Sequence, residues 1–429
     1  MSRKIKRRDF LQTSAAVSVG IWTASRSNAR AQSPNEKLNL ALIGVGGRGG
    51  ANLNAVSSQN IVALCDVDNK TAGKAFTNFP KAAKYADFRK MFDDVEKQID
   101  AVVISTPDHT HFHPTHRAFE SGKHVYLEKP LAHSVWETRT LTDMAREKKL
   151  ATQLGVQRHT LKGIRNAVSL IQSGAIGAVK ECHAWIGGDR GMPKIPTEAQ
   201  PVPAHLNWDL WLGPAAERPY HETYCPYGWR FWWDFGTGEM GNWGCHILDI
   251  PFWALGLKYP TRVDASGPDP HPQTTPKTMT TRFDFPADDK RGPVALHWYH
   301  GTPPILAELK LSGRGMNNLF IGSEGMLLCG FGSYELLPEE KHDETKVDDA
   351  LLYKSPGFYN EWFNACKGSE PASCNFDYSG PMAETVLLGN VAYRAGGGFD
   401  WDSKELKAGG NDKANSFLRS EFRKGWEVG

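Results

Sequence analysis

The sequence predicts an α/β protein with an N-terminal doubly wound parallel sheet, followed by an α+β domain with a large, mostly antiparallel open sheet. Short continuous apolar runs alternate with helical segments over the first third of the chain, as in parallel sheets buried on both faces. The first of these runs ends in a glycine-rich turn. After about residue 157, longer segments of alternating character follow, which favour antiparallel strands.

The elements of the first domain, residues 36–157, follow from this pattern in order. Continuous apolar runs predict its strands, and segments that stop at glycine or at a polar turn predict its helices. The predicted strands are 38–43, 61–65, 101–104, 124–127 and 151–154, and the predicted helices are 69–79, 113–121 and 135–148.

The second domain, residues 158–429, begins with a different pattern. Between its first strand and its next two lies a region rich in Trp, Pro and Gly, residues 187–245, with little regular periodicity. Loops of that length are usually functional. We predict strands over 179–185, 278–285 and 295–299, and helices over 161–173 and 379–395.

Composition limits the classes of partner. The chain has 429 residues, which suits two domains, and a formal charge of +2. The first 31 residues hold seven Lys/Arg and one acid, a net +6, so the remainder carries −4. This acidic body gives no electrostatic case for nucleic acid. No apolar segment is long enough to span a bilayer, so no stable membrane insertion is expected after signal removal.

Residues 1–31 have the features of a processing segment. A basic start leads into Arg7-Arg8-Asp9-Phe10-Leu11, then a weakly apolar stretch, then small residues at Ala29-Arg30-Ala31. This order resembles a twin-arginine (Tat) signal peptide and implies a periplasmic or otherwise exported protein. The alternative is a disordered basic tail. Seven cysteines without a Cys-x-x-Cys pair indicate no disulfide framework.

The glycine-rich turn predicts a cofactor site. Gly44-Val45-Gly46-Gly47-Arg48-Gly49 is a G-x-G-x-x-G motif that follows an apolar strand and opens a helix, the context that dinucleotide binding requires. Gly44 permits the turn, Gly46 lets the backbone approach a pyrophosphate, and Gly49 allows close helix packing. Arg48 is included among the cofactor contacts. The alternative is a glycine turn in an unrelated α/β protein.

Asp66 predicts which dinucleotide binds. It ends the second strand, 17 residues beyond Gly49, where a carboxylate can accept hydrogen bonds from the adenosine ribose. The same charge repels a 2′-phosphate, and the following Val67-Asp68-Asn69 offers no arginine to receive one. NAD is therefore favoured over NADP.

Two further motifs carry a family resemblance. Ser105-Thr106-Pro107-Asp108-His109-Thr110-His111 follows the strand 101–104, and Gly122-Lys123-His124-Val125-Tyr126-Leu127-Glu128-Lys129-Pro130 comes one helix later. Thr-Pro-x-x-x-His, then Gly-Lys-His-Val, then Glu-Lys-Pro resembles the signature of the Gfo/Idh/MocA oxidoreductase family. The resemblance extends over essentially the whole chain after residue 36.

The resemblance implies roles for the first domain's residues. Lys129 would sit beside the nicotinamide and stabilise charge on the reacting oxygen, with Glu128 holding the turn before a Lys-Pro bond that is often cis in the family. As an isolated lysine, Lys129 would be a surface residue at a strand end. The other cofactor contacts implied are Thr106, Pro107, His111, Glu128 and Gln157.

The second family motif lies in the second domain. Asn242-Trp243-Gly244-Cys245-His246-Ile247-Leu248-Asp249 resembles the family's Asp-x-Gly-x-His-x-x-Asp. His246 matches the catalytic base, although the alternative is a satisfied core histidine. On a helix, Asn242 and His246 share a face. Asn242 departs from the family Asp and cannot accept a proton at neutral pH, so its expected role is to orient the imidazole or to bind a sugar hydroxyl. Asp249 is assigned to the substrate.

The segment Tyr224–Asp234 is unusually aromatic. Flat rings stack on sugar C–H faces, and Arg and Asp bond hydroxyls, so Trp229, Arg230 and the more distant Arg158 are candidate substrate contacts. An aromatic core or an oligomer contact remains an equal alternative. The histidines between residues 109 and 116 match no zinc-ligand spacing, so no metal site is predicted.

Three functions remain open. The first is an NAD-dependent oxidoreductase acting on a sugar or polyol hydroxyl, with a tightly bound, internally recycled cofactor. The second is an NAD-dependent glycosidase that cleaves by transient oxidation and elimination. The third is a non-catalytic sugar-binding protein. For each, the expected partner is a small-molecule sugar or glycoside, and a homodimer or homotetramer is expected.

Overall fold

The computed structural model describes residues 36–188, 190–340, 347 and 352–428. The predicted export signal, residues 1–31, lies outside the described residues. Two sheets organise the rest, and short apolar runs form the first of them. Its strands are β1 Asn39–Ile43, β2 Asn60–Cys65, β3 Ala83–Tyr85, β4 Ala101–Ile104, β5 His124–Leu127 and β6 Thr152–Leu154.

The first sheet has the order β3-β2-β1-β4-β5-β6, and each neighbouring pair is parallel. This is the doubly wound arrangement predicted from the sequence. The strand order reverses beside β1, because β2 and β3 lie on one side of it and β4, β5 and β6 on the other. The glycine turn after β1 and the loop after β4 therefore lie together at the carboxyl end of the sheet. Its helices are α1 Gly47–Val56, α2 Asn69–Asn78, α3 Phe88–Val95, α4 Phe112–Glu120 and α5 Val135–Glu147.

The second sheet contains nine strands within the described residues, in the order β13-β12-β11-β7-β10-β9-β8-β14-β15. The pair β7–β10 is parallel and the other pairs are antiparallel, so the predicted large, mostly antiparallel sheet is confirmed. Its strands are β7 Val179–Ile186, β8 Arg262–Ser266, β9 Thr280–Phe285, β10 Val294–His300, β11 Asn318–Gly322, β12 Met326–Cys329, β13 Tyr334–Leu337, β14 Phe399–Asp402 and β15 Lys407–Gly409.

Helices cover one face of this sheet. In β10, Leu296 and Trp298 are fully buried while the alternate residues are partly exposed, so one face packs inward and the other is more open. The helices of this part of the chain are α6 Lys162–Gln172, α7 Trp208–Leu212, α8 Cys245–Leu255, α9 Pro304–Glu308, α10 Phe358–Cys366, α11 Phe376–Ala395 and α12 Asp412–Asn415.

Two segments of the second domain lie against the first. The loop 187–207 reaches α2, where the Asn69 N–H donates to the carbonyl of His205 at 2.9 Å. At the C-terminal end, the carbonyl of Trp426 lies 2.7 Å from His113 Nε2 in α4. These contacts close the edge of the parallel sheet at which β1 and β4 end.

Among the described residues, no helix combines the length and the apolar character that crossing a membrane requires. All seven cysteines lie in described segments and are free thiols.

Candidate active site

The glycine turn is fixed by steric necessity. Gly44 has φ +78°, and a Cβ there would lie 2.8 Å from the carbonyl oxygen of Ser105. A Cβ on Gly49 would lie 1.9 Å from the carbonyl oxygen of Gly44, and one on Gly46 would meet Thr71 at 2.9 Å. The turn therefore brings α1 against β1 and β4 more closely than any side chain would permit.

Asp66 is joined to this turn. Its Oδ2 accepts from the N–H groups of Val45 at 2.8 Å and Gly46 at 3.2 Å, and its Oδ1 accepts from Asp68 N–H at 2.9 Å. Burial raises the pKa of Asp66, and the three backbone hydrogen bonds oppose that rise. The carboxylate thus fixes the strand end to the glycine turn while it lines the adjacent cavity.

A cavity of about 610 Å³ extends from Asp66 to Lys129 across the edge of the parallel sheet. Dinucleotides bind at this position in doubly wound folds, where strand order reverses. Most of the predicted site residues line it. These are Gly44, Gly46, Arg48, Asp66, Thr106, Pro107, Glu128, Lys129, Trp229 and Arg230.

Lys129 connects the cavity with the second domain. The Lys129–Pro130 peptide bond is cis. The Lys129 Nζ donates to Asn242 Oδ1 at 2.9 Å. Burial lowers the pKa of the Lys129 ammonium, and the negative charges of Asp108 and Glu128 oppose that effect. The motif predicted as catalytic in the first domain is therefore in direct contact with the one in the second.

Asn242 and His246 lie on consecutive helical segments. Residues Met240–Gly244 form a π-helical turn that runs directly into α8 at Cys245, so the single α-helix predicted across both residues is wrong at its first turn. Such π-turns occur frequently at functional sites. This π-helical turn ends at Gly244, two residues before His246. It contains Asn242, whose Oδ1 accepts from Lys129 Nζ.

The imidazole of His246 is neutral. Burial lowers its pKa well below the ordinary value, and the positive charges of Lys129, Arg158 and Arg48 lower it further. Its Nδ1 is buried and has no hydrogen-bond partner among the described residues. A buried unpartnered nitrogen beside a lysine is an uncompensated polar atom, which a bound hydroxyl would satisfy.

Glu128 organises the side of the cavity next to Lys129. Its Oε1 accepts from Arg48 Nε at 3.1 Å, from Asn52 Nδ2 at 2.9 Å and from Gln157 Nε2 at 2.7 Å. Gln157 also bonds Tyr126 Oη at 2.6 Å and is outside the cavity lining. Gln157 therefore positions Glu128, whereas the sequence assigned it to the cofactor.

His111 also lies away from the cavity lining. It is buried, and its two ring nitrogens lie 2.7 Å from the carbonyl of Pro130 and 2.9 Å from that of Thr106. The predicted cofactor contact is thus replaced by a bridge that holds the Lys129–Pro130 turn against the loop after β4. The neighbouring His109 is likewise fully buried between backbone carbonyls, and burial lowers its pKa to about 3.

Asp249, predicted to bind substrate, lies in the protein interior. It is fully buried, its two carboxylate oxygens each lie 2.9 Å from His159 Nδ1, and it accepts from Tyr378 Oη at 2.7 Å. The ring of Trp253 stacks on His159 at 3.9 Å. With its carboxylate occupied in this way, Asp249 fixes α8 and does not reach a ligand.

Arg158 lies beyond the cavity lining. Its guanidinium stacks on Phe331 at 4.2 Å and on Trp243 at 5.4 Å. Its charge acts on His246, so it belongs to the second-domain side of the site. The Trp243 ring in turn lies 6.0 Å from the His246 ring.

The aromatic segment serves both of the roles that the sequence left open. Trp232 is fully buried in a cluster with Tyr224 and Phe235, which is a core role. Trp229 and Arg230 line the cavity, and the Arg230 guanidinium stacks on Trp229 at 4.2 Å.

Sequence reasoning missed several lining residues. Trp426, near the C-terminal end, lines the cavity beside Phe88 and under the guanidinium of Arg89, which lies 4.4 Å from the ring centroid. Asp68 and Asp87 add carboxylates near Asp66. Both cap helices, α2 and α3 respectively, so an N-cap signal was present in the sequence, but nothing local in the sequence placed Trp426 here.

Two family models match the chain. One, described as the NAD-binding Rossmann fold of the oxidoreductase family, matches residues 38–156. The other, described as that family's C-terminal alpha/beta domain, matches residues 181–286. Together they cover more than half of the chain.

The chain belongs to the Gfo/Idh/MocA oxidoreductase family. Its first domain is therefore an NAD-binding Rossmann domain, as the glycine turn and Asp66 predicted, and NAD is its cofactor.

Similar proteins span several activities within this family. Levoglucosan dehydrogenase of Pseudarthrobacter phenanthrenivorans is 25% identical over 233 residues, 52% of each chain. A glycosyl hydrolase family 109 protein of Solibacter usitatus is 32% identical over 180 residues, 37% of this chain and 39% of that protein. The chain thus matches about half or less of the length of these relatives.

The fold is shared with solved structures of the Gfo/Idh/MocA family. The WlbA dehydrogenase of Bordetella pertussis, in complex with NADH and UDP-GlcNAcA, superposes with a TM-score of 0.61 at 15% identity and covers 86% of this chain and 99% of that one. At this identity the likeness establishes the fold alone.

Proposed function

We propose that this protein is an NAD-dependent oxidoreductase that oxidises a hydroxyl of a sugar or polyol and keeps its cofactor bound between turnovers. The observation that carries the proposal is the 2.9 Å contact between Lys129 Nζ and Asn242 Oδ1. It brings the end of the dinucleotide cavity to the helix that bears His246.

The residues of the cavity fit the dinucleotide. The glycine turn leaves no room for side chains and opens α1, whose N-terminus favours a pyrophosphate. Asp66, Asp68 and Asp87 place carboxylates at one end of the cavity, where they would accept from ribose hydroxyls and repel a 2′-phosphate. When bound, NAD supplies the acceptor for the hydride that leaves the carbinol carbon.

Two side chains divide the work on the hydroxyl. The neutral His246 imidazole takes the hydroxyl proton, and the Lys129 ammonium donates a hydrogen bond to the same oxygen as it becomes a carbonyl. Oxidation thus removes one hydride from carbon and one proton from oxygen. The lowered pKa values of both groups keep the imidazole in its accepting form at neutral pH and ease proton release from the ammonium.

Asn242 positions Lys129 and takes up no proton. A carboxylate at this position would hold the ammonium in its charged form, whereas an amide oxygen orients it without adding negative charge. Arg158 and the two rings that it contacts, Phe331 and Trp243, together offer a hydrogen-bond donor and flat apolar surfaces to a sugar ring.

Export makes cofactor retention a requirement. If residues 1–31 direct the chain through the Tat pathway into the periplasm, no maintained NAD(H) pool is available there. The cofactor would be loaded before export, and a second substrate would reoxidise it in place. The large side chains of Trp426, Tyr227 and Trp229, which line the cavity, support retention. A homodimer or homotetramer is the expected assembly.

A second candidate is NAD-dependent glycoside cleavage. The similarity to a glycosyl hydrolase family 109 protein, 32% over 180 residues, favours it. In this scheme, transient oxidation acidifies the adjacent C–H, the glycosidic substituent is eliminated, water adds, and the carbonyl is reduced again. The same Lys129 and His246 would handle the oxygen and the proton, without net redox change.

The test begins with the cofactor released from purified protein, identified by mass spectrometry as NAD. Candidate sugars and aryl glycosides are then assayed for NADH absorbance and for cleavage. Net NADH or a reduced second substrate supports oxidation, and cleavage at constant absorbance supports the glycosidase. The Lys129→Ala variant should lose at least about 1,000-fold in kcat and retain NAD.

Lys123, which is half-buried and lies outside the cavity lining, supplies the matched control. Lys123→Ala should keep both activity and NAD. Wild-type turnover in Lys129→Ala would remove Lys129 from the mechanism, and protein that purifies without any nicotinamide cofactor would contradict cofactor retention.

A further inference from the structure

On the more open face of the second sheet, away from the NAD cavity, three ligand-bearing side chains converge. Glu181 and His183 lie two residues apart on β7, and His297 lies on β10 directly opposite His183. Residues two apart share a face of a strand, so the parallel register alone brings all three together. Their ligand atoms lie within 4.8 Å of one another.

We propose that Glu181, His183 and His297 form a mononuclear site for a divalent transition metal of the zinc class. Two imidazoles and one carboxylate, with a position left for water, are a ligand set that zinc accepts in proteins. The site is separate from the proposed reaction at Lys129 and does not depend on it.

The distances within the cluster are those of ligands around one ion. Glu181 Oε1 lies 3.2 Å from His183 Nε2 and 3.1 Å from His297 Nε2. Two ligand atoms bound at 2.0–2.1 Å with a tetrahedral angle lie about 3.3 Å apart. The carboxylate oxygen is therefore already at ligand-to-ligand spacing from both nitrogens.

The contacts with Glu181 have the length of hydrogen bonds but not their alignment. The Nε2 atoms of both His183 and His297 are buried and have no hydrogen-bond partner among the described residues. Each ring leaves a buried nitrogen unsatisfied, which a metal ion would satisfy.

The contrast with a second convergent group supports this reading. His159, Asp249 and Cys374 also lie within 4.8 Å of one another, but there the His159 Nδ1 lies 2.9 Å from both carboxylate oxygens and Tyr378 donates at 2.7 Å. That group is completed by hydrogen bonds. The cluster on β7 and β10 is not.

A residue outside the ligand set orients His183. Tyr299, two residues after His297, places its Oη 3.1 Å from His183 Nδ1. A hydrogen bond at the remote nitrogen fixes the ring orientation and tautomer of a metal-bound histidine. The His183 and His297 rings stack with centroids 4.8 Å apart and an interplanar angle of 12°, which points both Nε2 atoms to the same side.

The cluster is reachable from solvent. The side chain of Glu181 is 39% exposed, that of His297 14% and that of His183 4%. Arg282 on β9, opposite His297, would oppose a cation, but its guanidinium is paired with Asp284 at 2.9 Å. An ion can thus enter past Glu181 and meet one uncompensated carboxylate.

The experiment uses the purified protein without a polyhistidine tag, stripped with EDTA and then given one equivalent of Zn²⁺. After gel filtration, elemental analysis should find one zinc per chain. Co²⁺ in place of Zn²⁺ should give visible absorption bands of a low-coordinate site. The Kd for Zn²⁺ should rise at least about 100-fold in His297→Gln and at least about 10-fold in Glu181→Gln.

His116→Gln is the matched control, because His116 also lies beside a carboxylate, Glu120, at 3.5 Å, but without a third ligand. It should bind zinc like the wild type, and thermal melts should show that all variants fold. Wild-type protein that retains no more zinc than His297→Gln would overturn the proposal, as would equal loss in His116→Gln. NAD content, measured in parallel, should be the same in all of them.

Discussion

At the glycine turn of the nucleotide domain, backbone geometry fixes the site, whereas on the second-domain side the positions depend on side chains. The glycine turn excludes any Cβ at Gly44 and Gly49, and Asp66 bonds main-chain N–H groups. Across the site, Asn242 reaches Lys129 through a single side-chain hydrogen bond from a π-helical turn.

This difference indicates on which side of the site residues can be substituted without loss of the fold. A site built on backbone approach allows little substitution, because a single added carbon clashes with main-chain atoms. A site built on side chains can exchange one polar group for another and alter the chemistry. Position 242, where an asparagine replaces the family aspartate, is an example of such an exchange.

Gly49→Ala is expected to have the largest effect, because it disrupts the backbone packing of the glycine turn. The new Cβ would lie 1.9 Å from the carbonyl oxygen of Gly44, so α1 must shift away from β1 and the turn must open. We expect the Kd for NAD to rise at least about 100-fold, a loss of about 2.7 kcal/mol, measured by calorimetric titration of cofactor-free protein.

Gly73→Ala is the control for this substitution. Gly73 lies in α2, and a Cβ there would meet nothing within 4 Å, so alanine should leave NAD affinity unchanged and add about 0.5–1 kcal/mol of helix stability. Equal NAD affinity in Gly49→Ala and Gly73→Ala would show that the close approach at Gly49 has no part in cofactor binding.

Asn242→Asp tests the second-domain side of the site, where the positions depend on side chains. A carboxylate 2.9 Å from Lys129 Nζ favours the charged ammonium and raises its pKa, against the lowering that burial causes. If the ammonium is needed for turnover, the loss of kcat/KM at alkaline pH should move upward by about 1 pH unit or more. The pH profile of kcat/KM measures it.

In Asn242→Leu, which removes the acceptor without adding charge, the alkaline limb should not move upward. An identical limb in wild type and Asn242→Asp would mean that Lys129 does not titrate in the rate-limiting step.

His300→Leu is expected to have the smallest effect. His300 is the last residue of β10 in the second domain. His300 is buried, neither ring nitrogen has a hydrogen-bond partner among the described residues, and burial lowers its pKa to about 3. Below pH 6.5 the unfolded chain binds a proton at this residue and the folded chain does not, so stability falls as the pH falls.

At pH 5.5 this cost is about 1.4 kcal/mol relative to pH 7.5 and above. His300→Leu removes it, so the drop in Tm between pH 7.5 and pH 5.5 should shrink by about 1–2 °C. His113 provides the comparison, because it too is buried with a pKa lowered to about 4 but bonds a carbonyl. An unchanged pH dependence in His300→Leu would contradict a neutral buried imidazole at this position.

The nucleotide domain was predictable almost element by element. The apolar runs predicted for β1, β2, β4, β5 and β6 match the observed strands to within about a residue at most ends, because parallel strands buried on both faces leave a continuous apolar signal. The short edge strand Ala83–Tyr85 was missed, since three partly exposed residues produce no such signal.

The second domain was predicted less completely. Six of its nine described strands were not predicted, because half-buried strands in long loops share their alternation with irregular segments. They are the strands at 262–266, 318–322, 326–329, 334–337, 399–402 and 407–409. The prediction of site residues was also incomplete. His111 and Gln157 were assigned to the cofactor by their motifs, but their hydrogen bonds turn them toward Pro130 and Glu128.

The sequence by itself determined the Rossmann domain and its preference for NAD, since strand, turn and helix signals there are local and steric. The lysine at the cavity was identified through the family resemblance of Glu128-Lys129-Pro130. Only the tertiary structure decided that Lys129 meets Asn242, that Asp249 is buried, that Trp426 lines the cavity and that Glu181 faces two histidines. Those contacts join residues from about 90 to more than 300 positions apart, and their formation depends on strand register and on packing between domains, which no local pattern encodes.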